Sequence, residues 1–321
     1  MGLGGHSTLT AVPGVKVGHA TDPERTSGVT AVCFADSSPC AIDVRGGASC
    51  TYDTASLDLD ATFGRRWAVF FSGGSVFGLD AGRGVRNRLL EGGAGRGVFE
   101  GAVPIVQITG ATLYDLPRRA GEWPPDYLPL GYEAARSASD ASVESGPIGA
   151  GTGATVGKYL GRGRASPGGI GSAATRHSRD GYVGVLVAVN SVGGVRDPDS
   201  GRWVAGARNR AGRVVPPPDR LRIRPPSLTG GRGTTLALVA TDLPLDRREL
   251  KRVAVMAQSG IGRSIAPAHA SVDGDVVFAV ATGANRAASP EAHPGARADA
   301  VGHLAAALAS EAIVRAVNPT R

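Results

Sequence analysis

The sequence predicts an α/β fold in which sheet is covered by helices on both faces, and three observations predict it. Short apolar runs recur at residues 29–34, 40–44, 67–71, 103–109, 168–175, 182–189, 236–241 and 276–281, bounded by Gly, Pro or Asp. Most are apolar at consecutive positions, which suits strands buried on two sides rather than a half-wet sheet. Two further stretches, 246–261 and 301–312, carry apolar residues at helical spacing, so helices are at hand to cover such strands.

Taken in order, the first two runs flank a polar stretch, Asp36-Ser37-Ser38-Pro39, and read as separate strands. The run 67–71 ends at Ser72-Gly73-Gly74. A weaker helix is expected after Ser75, interrupted by Gly82 and Gly84, since each internal glycine costs about 1 kcal/mol relative to alanine. Residues 103–109, 168–175 and 182–189 supply three more strands. Asp246-x-x-Glu249 reads as a capping box, and Leu250, Val253, Ala254, Ala257 and Ile261 follow it as a helical stripe. Val301, Leu304, Ala305, Leu308 and Ala312 repeat that stripe in a last helix expected to end before Pro319.

With 321 residues and 42% hydrophobic content, the chain can bury a large core, and 1–321 reads as a single folding unit. Its 48 glycines and 5% aromatics describe many turns and close backbone contacts. The formal charge of +7 is carried almost wholly by arginine, the lysines being Lys16, Lys158 and Lys251. Each lysine therefore merits a look, because a desolvated lysine can lose its proton and arginine cannot.

Eight arginines fall between Arg202 and Arg232, where Pro216 to Pro218, Pro225 and Pro226 mark an exposed, irregular segment. No helix-turn-helix, zinc-finger, RNP or stacking pattern accompanies that charge, so nucleic acid is not expected as a partner. Cys33, Cys40 and Cys50 form no C-x-x-C pair, which fits a reduced, cytoplasmic setting. Residues 1–14 lack the pattern of an export signal, and no apolar run approaches the roughly 18 residues of a membrane span. No membrane partner is expected.

The most informative chemistry lies at Gly233-Thr234-Thr235, between the basic segment and the apolar run 236–240. A threonine entering a buried strand after a flexible segment can attack the carbonyl before it, move the acyl group from nitrogen to oxygen, and emerge after hydrolysis as a new N-terminus. Its free α-amine, with a reference pKa of about 8, then serves as base for its own hydroxyl. Gly-Thr-Thr before an apolar run is also an ordinary strand start. Downstream, Asp273-Gly274-Asp275 leads into the run 276–281. Residues two apart on a strand share a face, so the pair could orient the amine and hydroxyl of Thr234, although an Asp-Gly turn opening a hairpin is the commoner explanation of the motif by itself.

Gly149 to Lys158 invites a phosphate-loop reading that fails on spacing: the positions needing Gly and Ser or Thr hold Thr152 and Tyr159. Its glycines instead permit close backbone approach, and Lys158 could place a cation near the nucleophile or the oxyanion. Asn190, at the end of an apolar strand, is placed to donate to an oxyanion or to form a turn. Tyr114 is either a core aromatic or a hydroxyl aimed at substrate, and Glu144 is a candidate to receive a substrate amine.

Together and in order, Gly-Ala-Thr-Leu-Tyr114-Asp, Gly157-Lys158, Val-Asn190-Ser-Val-Gly, Gly-Thr234-Thr-Leu-Ala-Leu-Val-Ala-Thr-Asp, and Ile265-Ala-Pro-Ala-His269 leading to Asp273-Gly-Asp275 resemble the DmpA-type aminopeptidase family. That family takes in L-aminopeptidase/D-esterases, β-peptidyl aminopeptidases and nylon-oligomer endo-hydrolases. Gly14-Val-Lys-Val-Gly-His19 and Ser72-Gly-Gly-Ser-Val-Phe-Gly78 extend the resemblance over nearly the whole chain. It implies a four-layer αββα sandwich of the N-terminal-nucleophile-like type shared with ornithine acetyltransferases. It also implies self-cleavage between Gly233 and Thr234 into large (1–233) and small (234–321) chains, and a homo-oligomer of the resulting α/β heterodimer, such as a tetramer of heterodimers.

The resemblance casts Thr234 as nucleophile, Lys158 and Asn190 as its catalytic neighbours, Asp273 and Asp275 as orienters, and Tyr114 as a substrate-side group. Two departures stand out. The nylon-hydrolase branch has Asn where this chain has Gly233, and His269 is followed by Ala270 where Thr is usual. The function expected is hydrolysis of peptide or ω-amino-acid-oligomer amides through an acyl-enzyme, without metal or organic cofactor. Acyl transfer to an amine, and an unprocessed binding protein whose arginine-rich loop meets an acidic partner, are the alternatives.

Overall fold

One long strand organises the molecule. The computed structural model describes residues 7–24, 26–97, 99–116, 123–177, 181–217, 232–285, 293 and 295–319. Among these, the strands in order are β1 (Val15–Thr21), β2 (Gly28–Val44), β3 (Thr51–Tyr52), β4 (Arg65–Ser72), β5 (Ile108–Thr112), β6 (Thr155–Val156), β7 (Ser166–Pro167), β8 (Gly169–His177), β9 (Gly181–Asn190), β10 (Gly194–Arg196), β11 (Trp203–Ala205), β12 (Thr234–Thr241), β13 (Ile265–Ala266) and β14 (Val276–Ala281). The helices are α1 (Ala81–Glu91), α2 (Tyr127–Arg136), α3 (Arg247–Ser264) and α4 (Ala296–Val317). The main sheet runs β3-β5-β4-β2-β14-β12-β9-β8, with β1 also paired to β2.

The first half of β2 pairs with β1 and β4, and its second half pairs with β14. Its register against β4 slips between Cys33 and Ser38, and such an irregularity bends a strand. The sheet thereby divides into two leaves. Val32, Phe34, Phe71 and Leu113 of the first pack with Leu186, Leu236, Leu238 and Phe278 of the second, and the Phe71 and Phe278 rings lie 6.3 Å apart. On its other face the first leaf meets α1 and α2 through Val29, Ala31, Phe70, Ala81, Val85 and Ala134. The second leaf meets α3 and α4 through Val187, Ala237, Val277, Val253, Ala257 and Ala309. The layers are α-β-β-α, as the resemblance implied.

The consecutive apolar pattern of β12 is explained by this arrangement, since all eight of its residues are buried between the leaf interior and the helices. Burying each leucine side chain is worth about 1.5–3 kcal/mol. β12 runs parallel to β14 and antiparallel to β9. Those two pairings bring the start of β12, the start of β14 and the end of β9 together at one end of these central strands.

Several expectations are corrected. Runs 29–34 and 40–44 are one strand, because the polar residues between them sit at the bend without leaving the ladder. Residues 103–107 precede the strand, which starts at Ile108. Gly82 and Gly84 lie inside α1 without breaking it. A Cβ on Gly84 would stand 2.0 Å from the carbonyl oxygen of Leu128, so glycine there lets α1 and α2 cross closely. Helix α2 was masked in the sequence by Pro129, which sits in the first turn where its missing N–H costs nothing.

Other expectations match what is observed. The capping box forms in full: Asp246 accepts from the N–H groups of Arg248 and Glu249, and Glu249 accepts from the Asp246 N–H at 2.7 Å. Helix α4 is long and apolar enough to cross a membrane by composition, yet most of it is buried within the fold. The arginine-rich segment includes β11 and a described portion to residue 217, whereas 218–231 lie outside the described residues.

Candidate active site

At the sheet edge where β12 begins, Thr234 is buried, and its Oγ1 donates to the carbonyl oxygen of Gly233 at 2.5 Å. That same oxygen accepts from the N–H of Gly274 at 3.0 Å. Gly233 bridges Asp273 in parallel fashion, and its N–H donates to the Val272 carbonyl at 3.2 Å. The bond before Thr234 is thus held from both sides, with the hydroxyl beside the carbonyl it would attack.

The two aspartates flank this bond in different ways. Both are almost fully buried. Asp275 accepts from the Thr235 N–H at 2.7 Å through Oδ1, while its Oδ2 lies 2.9 Å from both the backbone N and the ring Nδ1 of His269. Asp273 accepts from Val192 N–H at 3.1 Å and Ala270 N–H at 3.2 Å. Burial, reinforced by the Asp275 charge, raises the Asp273 pKa to about 6. The N–H groups of Arg45, Gly46 and Ala48 clamp the 273–275 turn through its carbonyls. The shared strand face expected for the pair is not what forms, because β14 begins only at Val276. In the intact chain Asp275 holds the amide one residue past the bond, and Asp273 holds those of Val192 and Ala270.

Lys158 enters from the 3₁₀ turn after Gly157 and is buried. Its Nζ donates to the carbonyls of Asn190 (2.6 Å), Thr155 (2.7 Å) and Ser191 (3.2 Å) and to Asn190 Oδ1 (2.9 Å). Burial lowers its pKa to about 7, a fall partly opposed by the charge of Asp273. Near neutrality a sizeable fraction of it is therefore neutral, whereas an exposed lysine is almost wholly charged.

Asn190 is the register partner of Thr234 across the antiparallel β9–β12 ladder. Its amide is already engaged: Oδ1 takes Lys158 and the Thr155 N–H (2.9 Å), and Nδ2 donates to the Tyr114 carbonyl at 3.0 Å. In this state Asn190 is a scaffold tying Lys158 to Tyr114, and the expected oxyanion role would use its second amide hydrogen. The Tyr114 ring carries two guanidiniums, Arg232 at 5.4 Å and Arg162 at 5.7 Å. Glu144 does not join this cluster. It is exposed and lines a separate surface pocket with His19, Ser137 and Ser139.

His269, the Gly274 N–H and the Ser191–Val192 backbone join the site without a role assigned to them from the sequence. His269 had a signal, its place just before the Asp-Gly-Asp motif. Backbone donors have none. The departure at Ala270 is also explained, since the group used there is the main-chain N–H. Among the described residues no group of three or more His, Cys, Asp or Glu is arranged to hold a metal ion.

Comparisons with known proteins give the family. A family model described as Peptidase family S58 matches residues 7–320. An uncharacterised aminopeptidase of Mycobacterium leprae is 34% identical over 97% of this chain and 89% of its own length. A 6-aminohexanoate-oligomer endohydrolase of Kocuria sp. is 31% identical over 84% of this chain and 73% of its own. Among solved structures, a Burkholderia sp. β-aminopeptidase has a TM-score of 0.67 at 24% identity, covering 98% of this chain and 88% of that one. The L-aminopeptidase D-Ala-esterase/amidase of Ochrobactrum anthropi, described as a variant of the Ntn hydrolase fold, has a TM-score of 0.67 at 21% identity with the same coverage.

Proposed function

The chain belongs to peptidase family S58 and is an amide-bond hydrolase, and from that premise we propose that it cuts itself between Gly233 and Thr234 and then works with Thr234 as an N-terminal nucleophile. The observation that carries this reading is the buried Thr234 hydroxyl, 2.5 Å from the carbonyl oxygen of the residue before it, with its register partner Asn190 held by a lysine of depressed pKa.

In the first cleavage, neutral Lys158 takes the Thr234 hydroxyl proton and Oγ1 attacks the Gly233 carbonyl carbon. The Gly274 N–H already points at the oxygen that gains charge, so no rearrangement is needed to stabilise it. The acyl group passes from nitrogen to oxygen as the proton held by Lys158 goes to the leaving Thr234 nitrogen and breaks the C–N bond, and water then hydrolyses the ester, releasing the Gly233 carboxyl and the Thr234 hydroxyl. The freed α-amine becomes the base for later turnovers. Asp275 keeps the strand start in place through the Thr235 N–H. Residues 234–321 stay with 1–233 because β12 lies between β9 and β14, and β14 lies between β12 and β2.

Substrates are amides of peptides or ω-amino-acid oligomers, which pass through an acyl-enzyme on Thr234. The test is to quench the protein during turnover of an activated amide and weigh the 234–321 fragment. An adduct of the acyl mass on that fragment supports the reading. Turnover with no adduct there, or unimpaired turnover by Thr234→Ala, contradicts it.

A further inference from the structure

His269 sits beside the two aspartates of the site yet takes no part in the proposed proton transfers. It stands in the loop between β13 and β14 with φ at 58°, in the left-handed region that few side chains other than those of asparagine, aspartate and histidine enter. Such a conformation persists only where the surroundings over-determine it. Here they do. The successive N–H groups of His269 and Ala270 reach one carboxylate each, Asp275 Oδ2 at 2.9 Å and Asp273 Oδ2 at 3.2 Å, so the turn forms a small backbone nest for the pair.

The His269 ring adds a further donor. Its Nδ1 lies 2.9 Å from the same Asp275 Oδ2. An ionised carboxylate only accepts, so Nδ1 carries the hydrogen of that bond. Both oxygens of Asp275 are then fixed, Oδ2 by the histidine and Oδ1 by the Thr235 N–H at 2.7 Å. Asp275 is buried, whereas the His269 side chain keeps 27% of its surface exposed, so the ring is not there to fill the core. Without it Oδ2 is left with a single main-chain donor, and the carboxylate is free to turn about its Cβ–Cγ bond and carry Oδ1 away from Thr235. The Thr235 amide directly follows the nucleophile, and its loosening lets Thr234 Oγ1 drift from the Gly233 carbonyl.

We infer that His269 is a positioning residue for Thr234: its ring Nδ1–H holds the Asp275 carboxylate, and Asp275 in turn fixes the start of β12. This rests on the proposed use of Thr234 as nucleophile. The histidine acts through Asp275 on both the first cleavage and later turnover. Backbone and ring are separable, because the left-handed conformation suits glycine and asparagine as well.

The test sets His269→Gly and His269→Asn beside the unaltered chain, with self-cleavage followed by intact mass, folding by thermal unfolding, and kcat and KM taken on glycyl p-nitroanilide. Glycine keeps the turn and removes the ring donor, whereas asparagine keeps the turn and returns a side-chain N–H. The glycine variant is expected to melt like the unaltered protein, to cut itself at least about tenfold more slowly, and to lose at least about tenfold in kcat with KM within about threefold, the mark of a misplaced group rather than of lost binding. The asparagine variant is expected to recover most of that loss. A glycine variant that cuts itself and turns over as the unaltered protein does overturns the positioning role and leaves Thr234 as nucleophile. So does an asparagine variant as slow as the glycine one. Should the glycine variant not fold, the asparagine variant decides alone, with unaltered rates supporting the role and slow rates in a folded protein overturning it. Where the amide is not turned over, the self-cleavage rates decide. An unaltered chain that stays full-length and inactive overturns the nucleophile reading, and the positioning role with it.

Discussion

Two buried carboxyls in this molecule share a raised pKa but differ in the groups that surround them. Asp115 and Asp273 are each raised to about 6, with burial as the main cause. Asp115 accepts from the Gly74 N–H at 2.7 Å and the Ser27 hydroxyl at 2.8 Å, and Ser27 in turn lies 2.8 Å from the Tyr127 hydroxyl. That network pins three segments of the first leaf together. Asp273 has instead a second carboxylate as neighbour and a threonine hydroxyl on a strand-held carbonyl nearby, while the depressed Lys158 feels the charge of both Asp115 and Asp273. The lesson is that a perturbed carboxyl does not by itself mark a site. A nucleophile close to it does.

The comparison is sharpened most by Lys158→Met, which keeps the bulk of the buried stem and removes the amine. First cleavage should slow by about 100- to 10,000-fold, the usual range for a lost acid–base group, as followed by mass over days. Unchanged cleavage would make Lys158 structural, like Asp115. Next, the pH dependence follows from the sign of the lysine shift. Below about 7 Lys158 is protonated and cannot accept the hydroxyl proton, so cleavage should fall about tenfold per pH unit on the acid side and level off above. A rate flat from pH 5 to 8 would remove Lys158 as the base.

For Asp115 the effect expected is on stability. Asp115→Ala orphans the Gly74 N–H and loosens Ser27, which costs about 2 kcal/mol, while self-cleavage still goes to completion. Thermal unfolding and mass on the same sample check both halves. Loss of cleavage in a folded Asp115→Ala would show that the two carboxyls belong to one device. The smallest effect is expected for Glu144→Gln, an exposed change apart from the cluster, within about 0.5 kcal/mol in stability and without change in cleavage or kcat/KM.

The sequence was legible where chemistry is carried by side chains at a strand's edge. Thr234, Asp273 and Asp275 could be singled out because polar residues sit directly beside the apolar runs 236–241 and 276–281. Parallel pairing of β12 with β14 brings them together. Helices α3 and α4 were legible from their stripes, and α3 also from its cap. What escaped was set by tertiary contact. The bend of β2, the close crossing at Gly84 and the clamp on Gly233 depend on backbone brought near from elsewhere, which leaves no periodic trace. Glu144 was chosen for its charge near a glycine-rich segment, and proximity in sequence did not become proximity in space.

The central claim is that this chain makes its own nucleophile, and the most direct measurement is the intact mass of freshly purified protein under denaturing conditions, beside Thr234→Ala. The account predicts two fragments meeting between Gly233 and Thr234 in the unaltered protein and one full-length species in the variant. A single full-length species from both, stable on long incubation at neutral pH, would contradict it.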